Sequence, residues 1–160
     1  DSSECLDSSQ IQAALQRHLA RRFLSMTSPA KTLLNLAITT ANTAVAGDTI
    51  ALPNGARSVN LLAKFTYGSG GTKTTAYVQT SLDGGATWVD IACVTFTTAS
   101  ANKLVNLGGL TALGTVYTPT DGSLTDDTTK DGILGDLLRV KYTTTGTYAA
   151  TTLVVVAYPR

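Results

Sequence analysis

The sequence predicts an all-β protein: an antiparallel β-sandwich, jelly-roll-like, with seven or eight strands and an N-terminal helical arm. Three observations carry that expectation. Val59, Leu61, Ala63, Phe65 and Tyr67 alternate with their neighbours, the period-2 pattern of a strand with one buried face. Turn signals recur along residues 32–158, among them Pro53-Asn54-Gly55, Asp83-Gly84-Gly85, Asp121-Gly122 and Gly146. The composition agrees: 28 Thr and 14 Gly with only 14% charged residues describe a chain suited to pleated, half-buried surfaces. An apolar content of 43% is too high for a disordered chain.

The elements follow in order. Residues 1–31 read as an arm with one amphipathic helix over 9–25. Ser9 and Gln12 have the spacing of a capping box. Ile11, Leu15, Leu19 and Phe23 then recur every four residues and form an apolar stripe. Arg17 and Arg21 lie off the stripe, Arg22 lies within it, and Ser28-Pro29 ends the helix. Residues 32–160 read as the sandwich domain. Leu34, Leu36 and Ile38 alternate first, followed by the short apolar steps at Val45, Ile50 and Leu52. The run 59–67 comes next, then Thr74 to Ser81 and Trp88 to Phe96 on either side of a hairpin turn. Residues 106–132 are rich in turns, with a short strand expected around Leu113 to Tyr117. Leu137 to Thr144 and Tyr148 to Tyr158 close the series, the latter with the β-branched run Val154-Val155-Val156.

The inventory of reactive side chains is short. The chain has one His (His18), two Cys (Cys5 and Cys93) and a single Glu, Glu4. A His/Cys metal cage needs more ligands than these, so no metal and no cofactor are expected. The run Asp121 to Asp127 lacks the spacing and final Glu of a calcium loop. Asp83, Asp121, Asp126, Asp127 and Asp131 sit in turn-like contexts, where capping backbone amides is the ordinary use of the carboxylate. No G-x-S-x-G is present, and nothing near His18 suggests a nucleophile. The expectation is a protein that is not an enzyme. A net charge of +1 supplies no field for nucleic acid or an anionic membrane, so neither is an expected partner. No apolar run is long enough to span a bilayer as a helix. Asp1-Ser2-Ser3-Glu4 does not read as a secretory signal, whereas Met26-Thr27-Ser28-Pro29 reads like a translation start. For Cys5 and Cys93 three states stay open: two free thiols, a bridge within the chain, or a bridge between subunits.

One motif stands out. Ser81-Leu82-Asp83-Gly84-Gly85-Ala86-Thr87-Trp88 fits S-x-D-x-G-x-T-W through Ser81, Asp83, Gly85, Thr87 and Trp88. It resembles the Asp-box hairpin of sialidase-like propellers, which also occurs singly in other β-proteins. In propellers these boxes typically lie away from the catalytic face, so the resemblance implies a structural hairpin. A single copy cannot build a propeller, whose blades repeat every 40 to 50 residues or so. The stretch Ala76 to Ala92, with Thr95-Phe96-Thr97-Thr98-Ala99-Ser100 and the Thr/Val-rich C-terminal strands, is similar to small β-sandwich structural proteins of tailed bacteriophages. That resemblance covers roughly residues 57–158. It implies a virion component, whether head decoration, neck or collar, or tail-associated. It implies no catalytic residues.

The function expected is therefore that of a non-enzymatic virion protein. It would bind other virion proteins and copies of itself, take no small-molecule substrate and reside in the virion. The rival is a carbohydrate-binding module with exposed aromatics near the Asp-box hairpin. Its candidate platform is Tyr67, Tyr77, Trp88, Tyr117 and Tyr148. The arm is expected to pack on a neighbouring subunit through Ile11, Leu15, Leu19 and Phe23, because an isolated helix of its length is marginal in water.

Overall fold

A computed structural model describes residues 29–160, together with Ser9, Gln12 and Gln16. Those three are helical and exposed. The rest of the expected helix, including Ile11, Leu15, His18, Leu19 and Phe23, lies outside the described residues, as does Cys5.

The described body is all-β and antiparallel. Its eleven strands are β1 (Lys31–Ile38), β2 (Asn42–Ala46), β3 (Ile50–Ala51), β4 (Ser58–Thr66), β5 (Ser69–Gly70), β6 (Lys73–Ser81), β7 (Val89–Phe96), β8 (Ala101–Gly108), β9 (Leu137–Thr145), β10 (Tyr148–Ala149) and β11 (Thr151–Pro159). One sheet runs β1-β11-β4-β8. The other runs β2-β9-β6-β7, with β3 also paired to β9. β5 and β10 form a separate two-stranded ribbon. Among the described strands, only β6 and β7 are consecutive in sequence and also paired, so theirs is the one simple hairpin.

The inward positions of both sheets meet in one apolar cluster. Val59, Leu61, Ala63 and Phe65 of β4 and Leu153, Val155 and Ala157 of β11 are all at most 3% exposed. They share the cluster with Ala76 and Val78 of β6, Ile91 of β7, and Leu138 and Val140 of β9. Each large apolar side chain so buried contributes roughly 1.5–3 kcal/mol relative to exposure. The Phe65 and Phe96 rings stack with centroids 4.9 Å apart. This core is why the alternation of β4 and β11 is so regular: each second residue faces it.

Four details depart from the sequence reading. The strand count exceeds seven or eight, because β3, β5 and β10 have only two residues each. β8 was not anticipated. It holds three Asn and Lys side chains and buries fully only Leu107, the pattern of an edge strand. Leu113 to Tyr117 forms no strand. In β1 the pairing register with β11 shifts between Thr32 and Leu34, which turns both Leu33 and Leu34 inward and breaks simple alternation.

Residues 109–136 run between β8 and β9 as a long strap. The Asp90 amide donates to the Thr120 carbonyl (2.9 Å), the Cys93 amide to the Thr128 carbonyl (2.8 Å), and the Lys130 amide to the Ile91 carbonyl (2.8 Å). The strap therefore follows the free edge of β7 and satisfies its backbone groups. This explains why β7 is buried at every position except Thr95.

Candidate functional site

The turn between β6 and β7 is built by the side chains of the S-x-D-x-G-x-T-W motif. Ser81 Oγ donates to Asp83 Oδ1 at 2.8 Å, and the Gly85 amide donates back to Ser81 Oγ at 2.8 Å. The Thr87 amide donates to Asp83 Oδ1 at 2.7 Å. Gly85 has φ +97°, where an L side chain is strained. The bond from the Thr87 amide, helped by Thr87 and Ser81 hydroxyls, holds the Asp83 carboxyl below its ordinary range. Trp88 leaves the turn to stack against Arg139, whose guanidinium carbon lies 4.0 Å from the ring centroid. The motif residues are thus brought together, but the groups that Asp83 engages, Ser81 Oγ and the Thr87 amide, belong to the turn itself.

A second group lies beneath the strap. The register of β6 against β7 slips between Val78 and Gln79, so that Gln79 faces Asp90 while Val78 faces Ala92. This bulge at Ile91 turns Asp90 to the outer side of the sheet, beside Gln79. Asp90 is fully buried there. Its Oδ2 accepts from the amides of Gly122 (2.8 Å), Ser123 (3.0 Å) and Leu124 (3.3 Å). Its Oδ1 accepts from Gln79 Nε2 at 2.7 Å. Gln79 Oε1 in turn accepts from Arg139 Nε at 2.8 Å. Asp121 Oδ1 accepts from Gln79 Nε2 and from Lys141 Nζ, at 2.7 and 2.8 Å. Lys141 and then Gln79 hold the Asp121 carboxyl below its ordinary range. Successive amides converging on a carboxylate form an anion-binding nest, here filled by the protein's own Asp90.

The other turn carboxylates are each engaged separately. Asp126 pairs with Lys73 at 2.6 Å and Asp127 with Lys103 at 2.6 Å. Burial pushes the Asp127 carboxyl up, but the Lys103 and Thr95 bonds outweigh it and leave it lowered. Asp131 accepts from the Gly108 amide and the Thr111 hydroxyl. Among the described residues no three His, Cys, Asp or Glu side chains gather as a metal would require. Cys93 is a free thiol, 1% exposed.

The candidate sugar platform is dispersed. Tyr148 is buried, with its hydroxyl accepting from Thr74 Oγ1 at 3.1 Å, and Tyr67 stacks beside Phe65. Trp88 and Tyr117 belong to the opposite end, about 23 Å away along β6 at ~3.3 Å per residue. There an open pocket of about 440 Å³ is lined by Leu82, Val89, Leu113, Tyr117, Ile133 and Leu134. Its rim is apolar and exposed: Leu82 is 68% exposed and Leu113 50%.

Compared with protein families, with curated proteins and with solved structures, the chain matches none.

Sequence reasoning named the Asp-box residues but overlooked Asp90, Gln79 and Arg139. Asp90 sits two residues before Ala92, Val94 and Phe96 in β7, and simple alternation with these puts it on the core face. The signal available was a lone carboxylate flanked by Val89 and Ile91, which a strand can bury only with several donors.

Proposed function

We propose that the chain is a non-enzymatic structural subunit of a bacteriophage virion, a jelly-roll-like β-sandwich with a helical arm. It binds other virion proteins and copies of itself. The observation that carries the binding part is the exposed apolar rim of Leu82 and Leu113 around an open pocket. Contiguous exposed apolar surface of this kind is characteristic of protein contact sites. The virion part rests on the resemblance of residues 57–158 to phage structural sandwiches. The chemistry described above is consistent with both: Asp83, Asp90, Asp121, Asp126, Asp127 and Asp131 all hold loops or pair with cations. A sugar platform has less support, because its candidate aromatics are dispersed: Tyr67 and Tyr148 lie at one end of the body, Trp88 and Tyr117 at the other, and Tyr77 midway along β6.

An antibody raised against residues 32–160 should decorate purified virions at regular positions, seen by immunogold electron microscopy. Absence of label from virions, together with saturable binding of the protein on a glycan array, would replace this reading with the sugar-binding one.

A further inference from the structure

The turn between β3 and β4 carries the only Asn-Gly step of the sequence, Asn54-Gly55. Its flanks are fixed, because the Leu52 amide donates to the Asp136 carbonyl and the Arg57 amide to the Arg160 carbonyl, each at 2.7 Å. The turn itself is closed by the Ala56 amide, which donates to the Pro53 carbonyl at 3.0 Å. Asn54 and Gly55 are both exposed. Among the described residues no hydrogen bond reaches the Asn54 side chain or the Gly55 amide. Gly55 has φ +84°, and a Cβ built on it would meet nothing within 4 Å. The peptide plane between the two residues therefore has room to rotate, and glycine accepts the rotation at little cost.

The comparable positions are all held. Asp83, Asp121 and Asp131 also precede glycines, but each is engaged by hydrogen bonds, and an ionised carboxylate resists attack by an amide nitrogen. Asn35, Asn42, Asn60, Asn102 and Asn106 lie in paired strands, and each precedes a residue whose side chain crowds the following amide. We propose that Asn54 is a modification site, deamidated spontaneously through a cyclic imide formed with the Gly55 nitrogen. The deprotonated Gly55 nitrogen adds to Asn54 Cγ, and the side-chain nitrogen leaves as ammonia. Water then opens the imide at either carbonyl. Opening at the side-chain carbonyl carbon leaves aspartate at position 54, and opening at the main-chain carbonyl carbon leaves isoaspartate. Nothing is oxidised or reduced. The new carboxylate cancels the chain's formal net charge of +1 and arises near exposed Arg57. The isoaspartate form also lengthens the main chain of the turn by a methylene. β3 is held to β9 by Ile50 opposite Leu138 and Ala51 opposite Leu137 alone, so it is the strand that yields. The inference is independent of the virion reading.

Incubation of the full chain in warm, mildly alkaline buffer tests this, with tryptic mapping by mass spectrometry and labelling by an isoaspartyl methyltransferase. The peptide of residues 32–57 should gain the mass difference between NH and O. Fragmentation should place the change at position 54 rather than at Asn35 or Asn42. Methyltransferase labelling should rise with time and with pH, and Asn54→Ser should abolish it in this peptide. The folded chain should react at a rate within a few-fold of the same chain unfolded in urea. Modification in urea but not in the folded chain would show that the turn shields Asn54, and would overturn the proposal. So would a folded chain that deamidates first at another asparagine, or one that gains mass at position 54 without isoaspartate, since direct hydrolysis of the side-chain amide yields none.

Discussion

Asp90 carries more of the local structure than any other single side chain beneath the strap. Three strap amides and Gln79 point at its fully buried carboxylate. Asp90→Ala leaves them unsatisfied and should cost about 3 kcal/mol or more, read from urea unfolding. Asp90→Asn keeps an accepting oxygen and should cost less. Unfolding curves for Ala and Asn that coincide with wild type would contradict the nest. Asp83 differs in kind: it is at the surface, and its partners are the Ser81 hydroxyl and the Thr87 amide of its own turn. Asp83→Ala should lower the melting temperature only modestly.

At the scale of elements, the strap is the part most dependent on ionised carboxylates. Asp121, Asp127 and Asp131 tie it down, and all three have carboxyl pKa values below the ordinary range. A depressed folded-state pKa stabilises above the unfolded value, near 3.9 for Asp, and that stability is lost as pH falls through the folded value. Stability should therefore be flat from neutral pH down to about 5 and fall below about 4. The protection of the Gly122 to Leu124 amides against hydrogen exchange, relative to their intrinsic rates, should fall over the same acid range. A maximum of stability near pH 3 would contradict this assignment. The strap also meets the Asp83 hairpin through Gly135, where an added Cβ would overlap the Ser81 carbonyl oxygen. Gly135→Ala should consequently destabilise the chain by separating strap from hairpin, visible as a lower midpoint in urea.

The same scale shows what the sequence could and could not reveal. β4, β9 and β11 were legible because one face of each meets the core and the other does not. The β6–β7 hairpin was legible from its turn. β8 was not, because an edge strand with one fully buried side chain has little periodic signal. The strap's route was not legible either, since three of its bonds to β7 join backbone groups that carry no residue code. Asp90 was hidden by the bulge, which reverses the face that alternation assigns.

For the whole molecule, connectivity is the governing feature. Apart from β6 and β7, each described strand pairs only with strands distant in sequence; β1 lies against β11 and β4 lies between β11 and β8. Such non-local pairing requires large loops to close before contacts form. Refolding from urea should accordingly be slow, in the millisecond-to-second range by stopped-flow tryptophan fluorescence. Trp88 is the only Trp and stacks on Arg139 of β9, so it reports formation of the β6–β7–β9 layer. Microsecond refolding would contradict the topology.

The burial of Cys93 supplies a clock. Its sulfur lies on the strap side of β7, in a recess shared with Asp127 and Thr129, and burial pushes the thiol pKa up. An aromatic disulfide reagent can reach it only during moments when the strap lifts, so the labelling rate counts those openings. In a chain carrying Cys5→Ser, that rate should be slow for the otherwise native protein and rise sharply with Asp90→Ala. It would measure how firmly one carboxylate fastens 28 residues of irregular backbone, numbered 109–136, to the edge of a sheet.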